Sequence, residues 1–569
     1  MTESSPYRPP VEDYAFLLKD AFGVDLVARA TGGELSADDA GEILGAAGEF
    51  AASVLAPLER DGDLVGARLD DGAVHLPGGF AEAFRAFVDA GWITAEAPVS
   101  AGGDGLPGAI RAGLGEFWNA SNAAFALCWL LTAGQIHALD AVASDEVRET
   151  YLTKLVSGEW TGTMNLTEPA AGTDLGAIRT MATPRDDGSW AIRGQKIFIT
   201  WGDHDLAENI VHLVLARTPD APEGAKGLSL FVAPKRLVGE DGSLGERNAI
   251  TTVSIEHKLG IHASPTCVLD YDDATGYLVG ELHGGLAGMF VMMNSARAGM
   301  GFQATGIADR AYQQAAEYAA QRLQGPVMDR PAGTPIAEHP DVRRLLLSMS
   351  SKIFAMRALG VYVGDLLDRG HDDAETRALG EFFVPILKGW TTEDAIGVTS
   401  DAIQVFGGMG FIEETGVAQH YRDVRITPIY EGTTAIQSND LVGRKVIRDG
   451  GATAGRLFSL IDETVAGLRA RDEASRLADQ LARAVDAARR STADLLDAGS
   501  SRDAFAVSVP YLLLLGTLAG GWMHAQAALA VLSSGGAEAS RITAASFYGA
   551  HHLSRVQALA EAVAAGEIA

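Results

Sequence analysis

The chain is predicted to be an α+β protein in which an N-terminal helical domain, a middle antiparallel β domain, a C-terminal helical bundle and an appended helical domain follow one another. Three observations predict it. Ala-, Leu- and Glu-rich stretches at helical spacing fill roughly the first 160 residues and are broken by Gly/Pro turns. Short runs rich in β-branched and aromatic residues, set between turn clusters, then carry the chain to about residue 284. Long helical signals return and continue, past one glycine-rich break, to the C-terminus.

Residues 1–34 form an N-terminal extension whose first ten residues are polar and Pro-rich, without the basic-then-apolar order of a secretory signal; a cytoplasmic location is expected. The helical domain spans 35–160, with Glu34–Leu44 as a helical stretch and Pro98–Pro107 as a turn. In the β domain, 161–284, the strands are Trp190–Thr200, Ile210–Ala216, Leu228–Ala233 and Thr266–Asp270. The bundle occupies 285–447, Asp449–Gly455 reads as a linker, and the appended helical domain covers 456–569. There Leu457–Leu468 has the pattern of a packing helix. Ala506–Leu532 is long and apolar, but Pro510, His524 and Gln526 interrupt it, so it is expected to form two buried helices and no membrane span.

A chain of 569 residues is long enough for roughly three or four domains. Its 74 acidic residues against 45 Lys and Arg give a net charge of -29, with no local basic patch, which argues against nucleic acid or anionic lipid as a partner. Cys128 and Cys267 lack metal-ligand spacing and read as buried free thiols, and His551 and His552 have no companion ligands, so no metal is expected.

The stretch that carries most chemistry is Arg422–Gln437, which sets Glu431 among apolar neighbours at a helix entrance. Ile429 and Tyr430 precede it and Gly432 removes the next side chain, so the carboxylate is a candidate catalytic base on a tight, ligand-facing loop. Partial dehydration there would hold its pKa near neutrality, which suits proton abstraction from carbon. The alternative is a surface glutamate ahead of a helix capped by Thr433. The tetrapeptide alone leaves both open.

Five segments then occur in a telling order: Leu166–Asp174 (LTEPAAGTD), Gly194–Thr200 (GQKIFIT), His257–Gly260 (HKLG), Gln404–Phe411 (QVFGGMGF) and the Glu431 segment. Together they resemble the acyl-CoA dehydrogenase flavoprotein family, over about residues 35–446. The resemblance implies that fold, a noncovalently bound FAD, and oxidation of an acyl-CoA to a trans-2-enoyl-CoA. Glu431 would take the α-proton and flavin N5 the β-hydride. The thioester oxygen would accept hydrogen bonds from the Glu431 backbone N–H and a flavin ribityl hydroxyl.

The resemblance also assigns binding residues. Met164, Leu166 and Thr167 would line one edge of the flavin, with Phe198 and Thr200 on the next strand; Met164 stands where an aromatic is frequent and Phe198 where Trp is commoner. Without that context, Met164 and Phe198 read equally as strand core. Arg322 and Gln324 would meet FAD across a subunit boundary, with Gln404, Phe406, Gly407 and Gly408 reaching it from the partner chain and Thr433 also assigned to the cofactor. Such sharing requires a homo-oligomer, at least a dimer, with a tetramer also open. Arg322 alone reads equally as a solvated helix-end arginine. Gly172 and Thr173, followed by Asp174, would form a small-residue loop near the CoA tail, while Asn294 and Arg297 would contact its adenosine portion. Tyr430 and Gly432 would meet the substrate, and Tyr430, Ala435, Met300 and the turn 98–107 are candidates for the acyl pocket.

The front segment Pro9–Asp25 and the residues after the linker resemble the long bacterial branch of the family. That branch includes 3-methylthiopropanoyl-CoA dehydrogenases and broad-range fatty acyl-CoA dehydrogenases. Electron-transferring flavoprotein is the implied acceptor. The alternatives are an acyl-CoA oxidase using oxygen, a relative that binds DNA or oxidises nitroalkanes, and a catalytically silent acyl-CoA-binding flavoprotein scaffold. The acidic charge and the Glu431–Gly432 context count against the DNA-binding and nitroalkane readings respectively.

Overall fold

A computed structural model describes residues 6–535 and 538–566. The chain divides into two compact units, one made of Val54–Leu106 and Asn122–Ala296, the other of Met1–Ser53, Pro107–Ser121 and Arg297–Ala569. The helix Gly108–Val142 is interrupted at Asn122, where φ is -162° and ψ 89°, and its two halves belong to different units. The units therefore cut across segment 35–160.

The first unit is built on β-structure. Its strands are β1 (Arg68–Asp70), β2 (Ala73–His75), β3 (Trp160–Asn165), β4 (Met181–Pro184), β5 (Trp190–Thr200), β6 (Asn209–Arg217), β7 (Leu228–Pro234), β8 (Arg236–Val238), β9 (Leu244–Arg247), β10 (Ile250–Ile255) and β11 (Thr266–Val279). Seven of them form one sheet in the order β10-β11-β5-β4-β6-β3, with β7 joining β11 and β6. Most of its pairings are antiparallel, as the sequence predicts, but β3 runs parallel to β6 from Trp160↔Asn209 to Asn165↔Val214, and β4 meets β6 in parallel at Met181↔Arg217. The sheet is therefore mixed. The parallel pair is possible because a long connection through β4 and β5 separates β3 from β6. β6 and β7 are buried almost throughout, which explains their continuous apolar runs. Ile192, Ile199, Val214, Phe231, Cys267, Leu269 and Tyr271 form the core.

The second unit is helical. Its central helices are Pro340–Arg369 and Ala374–Phe406, joined by the C-terminal part of Gly285–Gln321 and followed by Ala452–Arg469, Ser475–Ala498 and Ser508–Ser533. The apolar stretch expected as two helices is one: Ser508–Ser533 runs unbroken. Pro510 is its third residue, inside the first turn where a missing N–H breaks no intrahelical bond. Gly108–Val142, Pro340–Arg369 and Ser508–Ser533 are each long and apolar enough to cross a membrane, and each buries most of that apolar stretch within the protein. Small residues set the packing here: a Cβ on Gly516 would sit 2.1 Å from Cγ of Trp390. A buried ionic network ties the first helix, Val11–Lys19, to the rest of the unit. Tyr14 Oη donates to Glu116 (2.7 Å), Arg357 donates to Glu116 and Asp13, and Arg541 of the appended helices donates to Asp13 (2.9 Å).

Candidate active site

Glu431 lies between Val417–Val424 and the helix Thr434–Asp440, on a loop that the surrounding residues hold in an unusual backbone conformation. Glu431 has φ +56° and Gly432 φ +88°. The left-handed conformation costs an ordinary residue about 1–2 kcal/mol, so it persists only where other contacts impose it. Those contacts are present. Lys388 Nζ donates to the Gly432 carbonyl at 2.6 Å, and Gln437 Nε2 donates to the carbonyls of Glu431 and Gly432 at 3.2 and 3.3 Å. The Thr434 N–H reaches the Pro428 carbonyl at 3.0 Å and its hydroxyl reaches Glu393 at 2.6 Å. Thr433 caps the helix by accepting from the Ile436 N–H. Tyr430 donates its hydroxyl to Gln303. A Cβ at position 432 would lie 2.8 Å from Gln437 Nε2, so glycine is required by both backbone angle and space.

Electrostatics distinguishes this glutamate from a surface one. Glu431 is half-buried, and among the described residues no donor hydrogen-bonds its carboxylate and no acceptor receives its backbone N–H. Burial raises its pKa to about 7, with Arg297 and Lys388 partly opposing the rise. Lys388 is fully buried; burial lowers its pKa to about 8 against the pull of Glu431 and Glu393. Arg297 is buried too, and burial lowers its pKa while Asp440 and Glu431 oppose. Arg297 therefore lies in the charge field of Glu431. Asn294, three residues earlier on the same helix, is exposed. Of the other acyl-pocket candidates, Met300 is buried and Ala435 exposed.

The β unit contains a separate constellation. Leu166 and Thr167 follow directly from β3, and the Ile197 N–H donates to the Thr167 carbonyl at 2.9 Å, which sets this edge beside Phe198 and Thr200. Met164 and Thr200 are half-buried. Phe198 is 59% exposed and has φ +58°, so it is not strand core: its ring is held outward in a strained backbone conformation. Beneath it, Lys196 is fully buried and donates to the Leu166 carbonyl (2.9 Å) and to Glu168 (2.8 Å). Glu168 also accepts from the N–H groups of Arg179 and Thr180 and from the Thr180 hydroxyl at 2.6–3.1 Å. Gly172 and Thr173 are exposed, and Asp174 caps the turn that follows.

Arg322 and Gln324 are exposed beyond the end of Gly285–Gln321, with Arg322 Nη2 3.4 Å from Gln324 Oε1. Gln404, Gly407 and Gly408 are exposed at the end of Ala374–Phe406, and Phe406 stacks on Tyr318 with centroids 4.2 Å apart. A Cβ at Gly407 or Gly408 would meet nothing within 4 Å, and Gly407 has φ +61°, so this backbone is open to close approach. Within the helical unit, Gly407 and Gly408 thus present accessible backbone and Arg322 an exposed guanidinium. Four residues with clear roles escaped the sequence reading: Glu168, Lys196, Gln303 and Lys388. Glu168 and Lys196 lie inside the quoted motifs, which were the available signal; Gln303 and Lys388 sit in helical stretches with none.

Comparison with known proteins agrees with this architecture. Residues 163–274 match the acyl-CoA dehydrogenase middle domain, 283–446 the acyl-CoA dehydrogenase C-terminal domain, and 457–569 the acetyl-CoA dehydrogenase C-terminal-like domain. A 3-methylmercaptopropionyl-CoA dehydrogenase from Ruegeria pomeroyi is 51% identical over 545 residues, which covers 93% of this chain and 92% of that one. The structure of Caenorhabditis elegans ACDH-11 in complex with C11-CoA superposes with a TM-score of 0.80 at 21% identity, covering 97% of this chain and 93% of that one. A Bacillus anthracis acyl-CoA dehydrogenase complexed with FAD does so with 0.72 at 21% identity, covering 94% and 89%. The chain belongs to the acyl-CoA dehydrogenase family and is an FAD-dependent oxidoreductase.

Proposed function

We propose that the protein performs the α,β-dehydrogenation of an acyl-CoA thioester, with Glu431 as the base that removes the α-proton. The observation that carries this reading is the Glu431 carboxylate itself: free of protein hydrogen bonds among the described residues, held near pKa 7, and fixed on a loop pinned by Lys388, Gln437 and Thr434. A base of that strength is about half ionised at pH 7 and binds a proton well. Its own backbone N–H supports the oxyanion of the developing enolate by donating to the thioester oxygen. FAD, when bound, supplies the two-electron acceptor for the β-hydride. Met164, Leu166, Thr167, Phe198 and Thr200 are the residues that would hold its ring, with Arg322 and Gln324 reaching it across a subunit boundary and the Gln404, Phe406, Gly407 and Gly408 segment contributed by the second copy of the chain.

3-Methylthiopropanoyl-CoA is the first substrate to test, because the Ruegeria pomeroyi relative is 51% identical over nearly its whole length; straight-chain fatty acyl-CoAs are the second. Electron-transferring flavoprotein is the proposed electron acceptor, a homodimer the proposed assembly and the cytoplasm the proposed location. Anaerobic titration of the flavin-loaded enzyme with a panel of acyl-CoAs tests the reading: flavin absorbance bleaches in the wild type. In Glu431→Gln, bleaching slows by on the order of 10²–10⁴-fold or more while flavin stays bound. Rapid bleaching in Glu431→Gln would remove Glu431 from the mechanism. Fast reoxidation by oxygen with peroxide release would instead indicate an oxidase.

A further inference from the structure

We propose that Lys388 is a positioning residue for the base: its ammonium group holds the Glu431–Gly432 backbone in place and stabilises the negative charge on Glu431. The inference rests on the reading of Glu431 as base. Lys388 lies on the helix Ala374–Phe406, is fully buried, and makes its hydrogen bond, among the described residues, to the Gly432 carbonyl at 2.6 Å. A buried ammonium is costly, and a neutral carbonyl offsets that cost less well than a hydrogen-bonded carboxylate would. For packing or loop anchoring alone, an uncharged side chain would suffice. The charge acts on what faces it.

Those groups come from three elements. Glu393 lies one and a half turns along Lys388's own helix, Glu431 comes from the loop, and Arg297 comes from Gly285–Gln321. Glu393 is engaged by the Thr434 hydroxyl at 2.6 Å, whereas Glu431 accepts no hydrogen bond from a described residue. Beyond them, Asp440 and Arg444 act on Arg297, and Tyr430 adjoins the base with its hydroxyl committed to Gln303. Arg297 and Lys388 are the two cations that act on Glu431. Lys388 also binds the loop backbone, at the Gly432 carbonyl. It therefore couples the shape of the loop to the ionisation of the residue the loop presents.

The test uses the full-length, flavin-loaded enzyme with Lys388→Gln, Lys388→Met and Lys388→Arg, and records kcat and kcat/KM from pH 5.5 to 9.5. Loss of the cation makes Glu431 bind its proton more tightly, so the acid limb of kcat/KM moves up by about one pH unit in Lys388→Gln. At pH 6 that is about a tenfold loss, which recovers by pH 9. Lys388→Met shows the same limb and a further several-fold fall in kcat at pH 9, because the Gly432 carbonyl has also lost its donor. Lys388→Arg restores the limb. Should Lys388→Met not fold, Lys388→Gln decides alone, since its amide remains a donor. A wild-type limb in Lys388→Gln overturns the proposal. Glu431→Gln, run in parallel, separates the two readings: if it still bleaches flavin, the assignment of the base falls; if it is silent while Lys388→Gln is normal, only the role of Lys388 falls.

Discussion

Two glutamates sharing low exposure, Glu168 in the β unit and Glu431 in the helical unit, carry the same functional group and are treated in opposite ways. Glu168 accepts from Lys196, the Thr180 hydroxyl and two backbone N–H groups. Burial by itself would raise its pKa, but Lys196 and these donors outweigh burial and hold it below the usual carboxylate range. Glu431 receives no such donors, and burial prevails. The satisfied carboxylate fixes the Thr167 edge of the β unit; the unsatisfied one keeps its lone pairs free of donors among the described residues. Hydrogen-bond supply, more than burial, divides structure from chemistry here.

The largest effect follows from breaking the satisfied pair. Lys196→Met leaves Glu168 buried without its cation and is expected to cost about 3–5 kcal/mol, measured by denaturant unfolding. It should also weaken flavin retention, since Lys196 binds the Leu166 carbonyl. Next in size, Gly432→Ala places a side chain at φ +88° and close to Gln437. It is expected to cost about 1–2 kcal/mol. It should also lower kcat by about tenfold or more, because ~1 Å of displacement at a reacting group can cost 10²-fold.

The last effect sharpens the comparison. Glu431 has a folded-state pKa of about 7, above that of an unfolded glutamate at about 4.3. Between those values the folded state retains a proton that the unfolded state releases. The contribution of this group to stability is thus fully present below the lower pKa and is lost as pH rises through about 7. Glu431→Gln should therefore match wild type in thermal midpoint near pH 4.5 and exceed it at pH 8. An equal midpoint at both would show that the carboxylate is not strained at neutral pH.

Much of this was legible in the sequence because it is local. Gly432 after Glu431, and Thr433 ahead of a helix, are signals read from adjacent residues, and the β-rich runs correspond to strands. The unbroken helix through Pro510 was not legible, because whether proline breaks a helix depends on which turn it occupies. The parallel pairing of β3 with β6 was likewise hidden, since alternation reveals strands and not their partners. The charges around Arg297 were hidden for a related reason. A position on a helix does not say which charges lie across from it.

By itself the sequence determined the family and the order of helical and β segments, and it singled out Glu431 from the other acidic residues. Tertiary structure alone decided the properties of that residue. Lys388 and Gln303 are 43 and 128 positions from Glu431 along the chain, yet they hold its loop and its neighbour Tyr430. The strength of a base is set by the water it has lost and by the charges and donors around it, and those come from parts of the chain that only folding brings together.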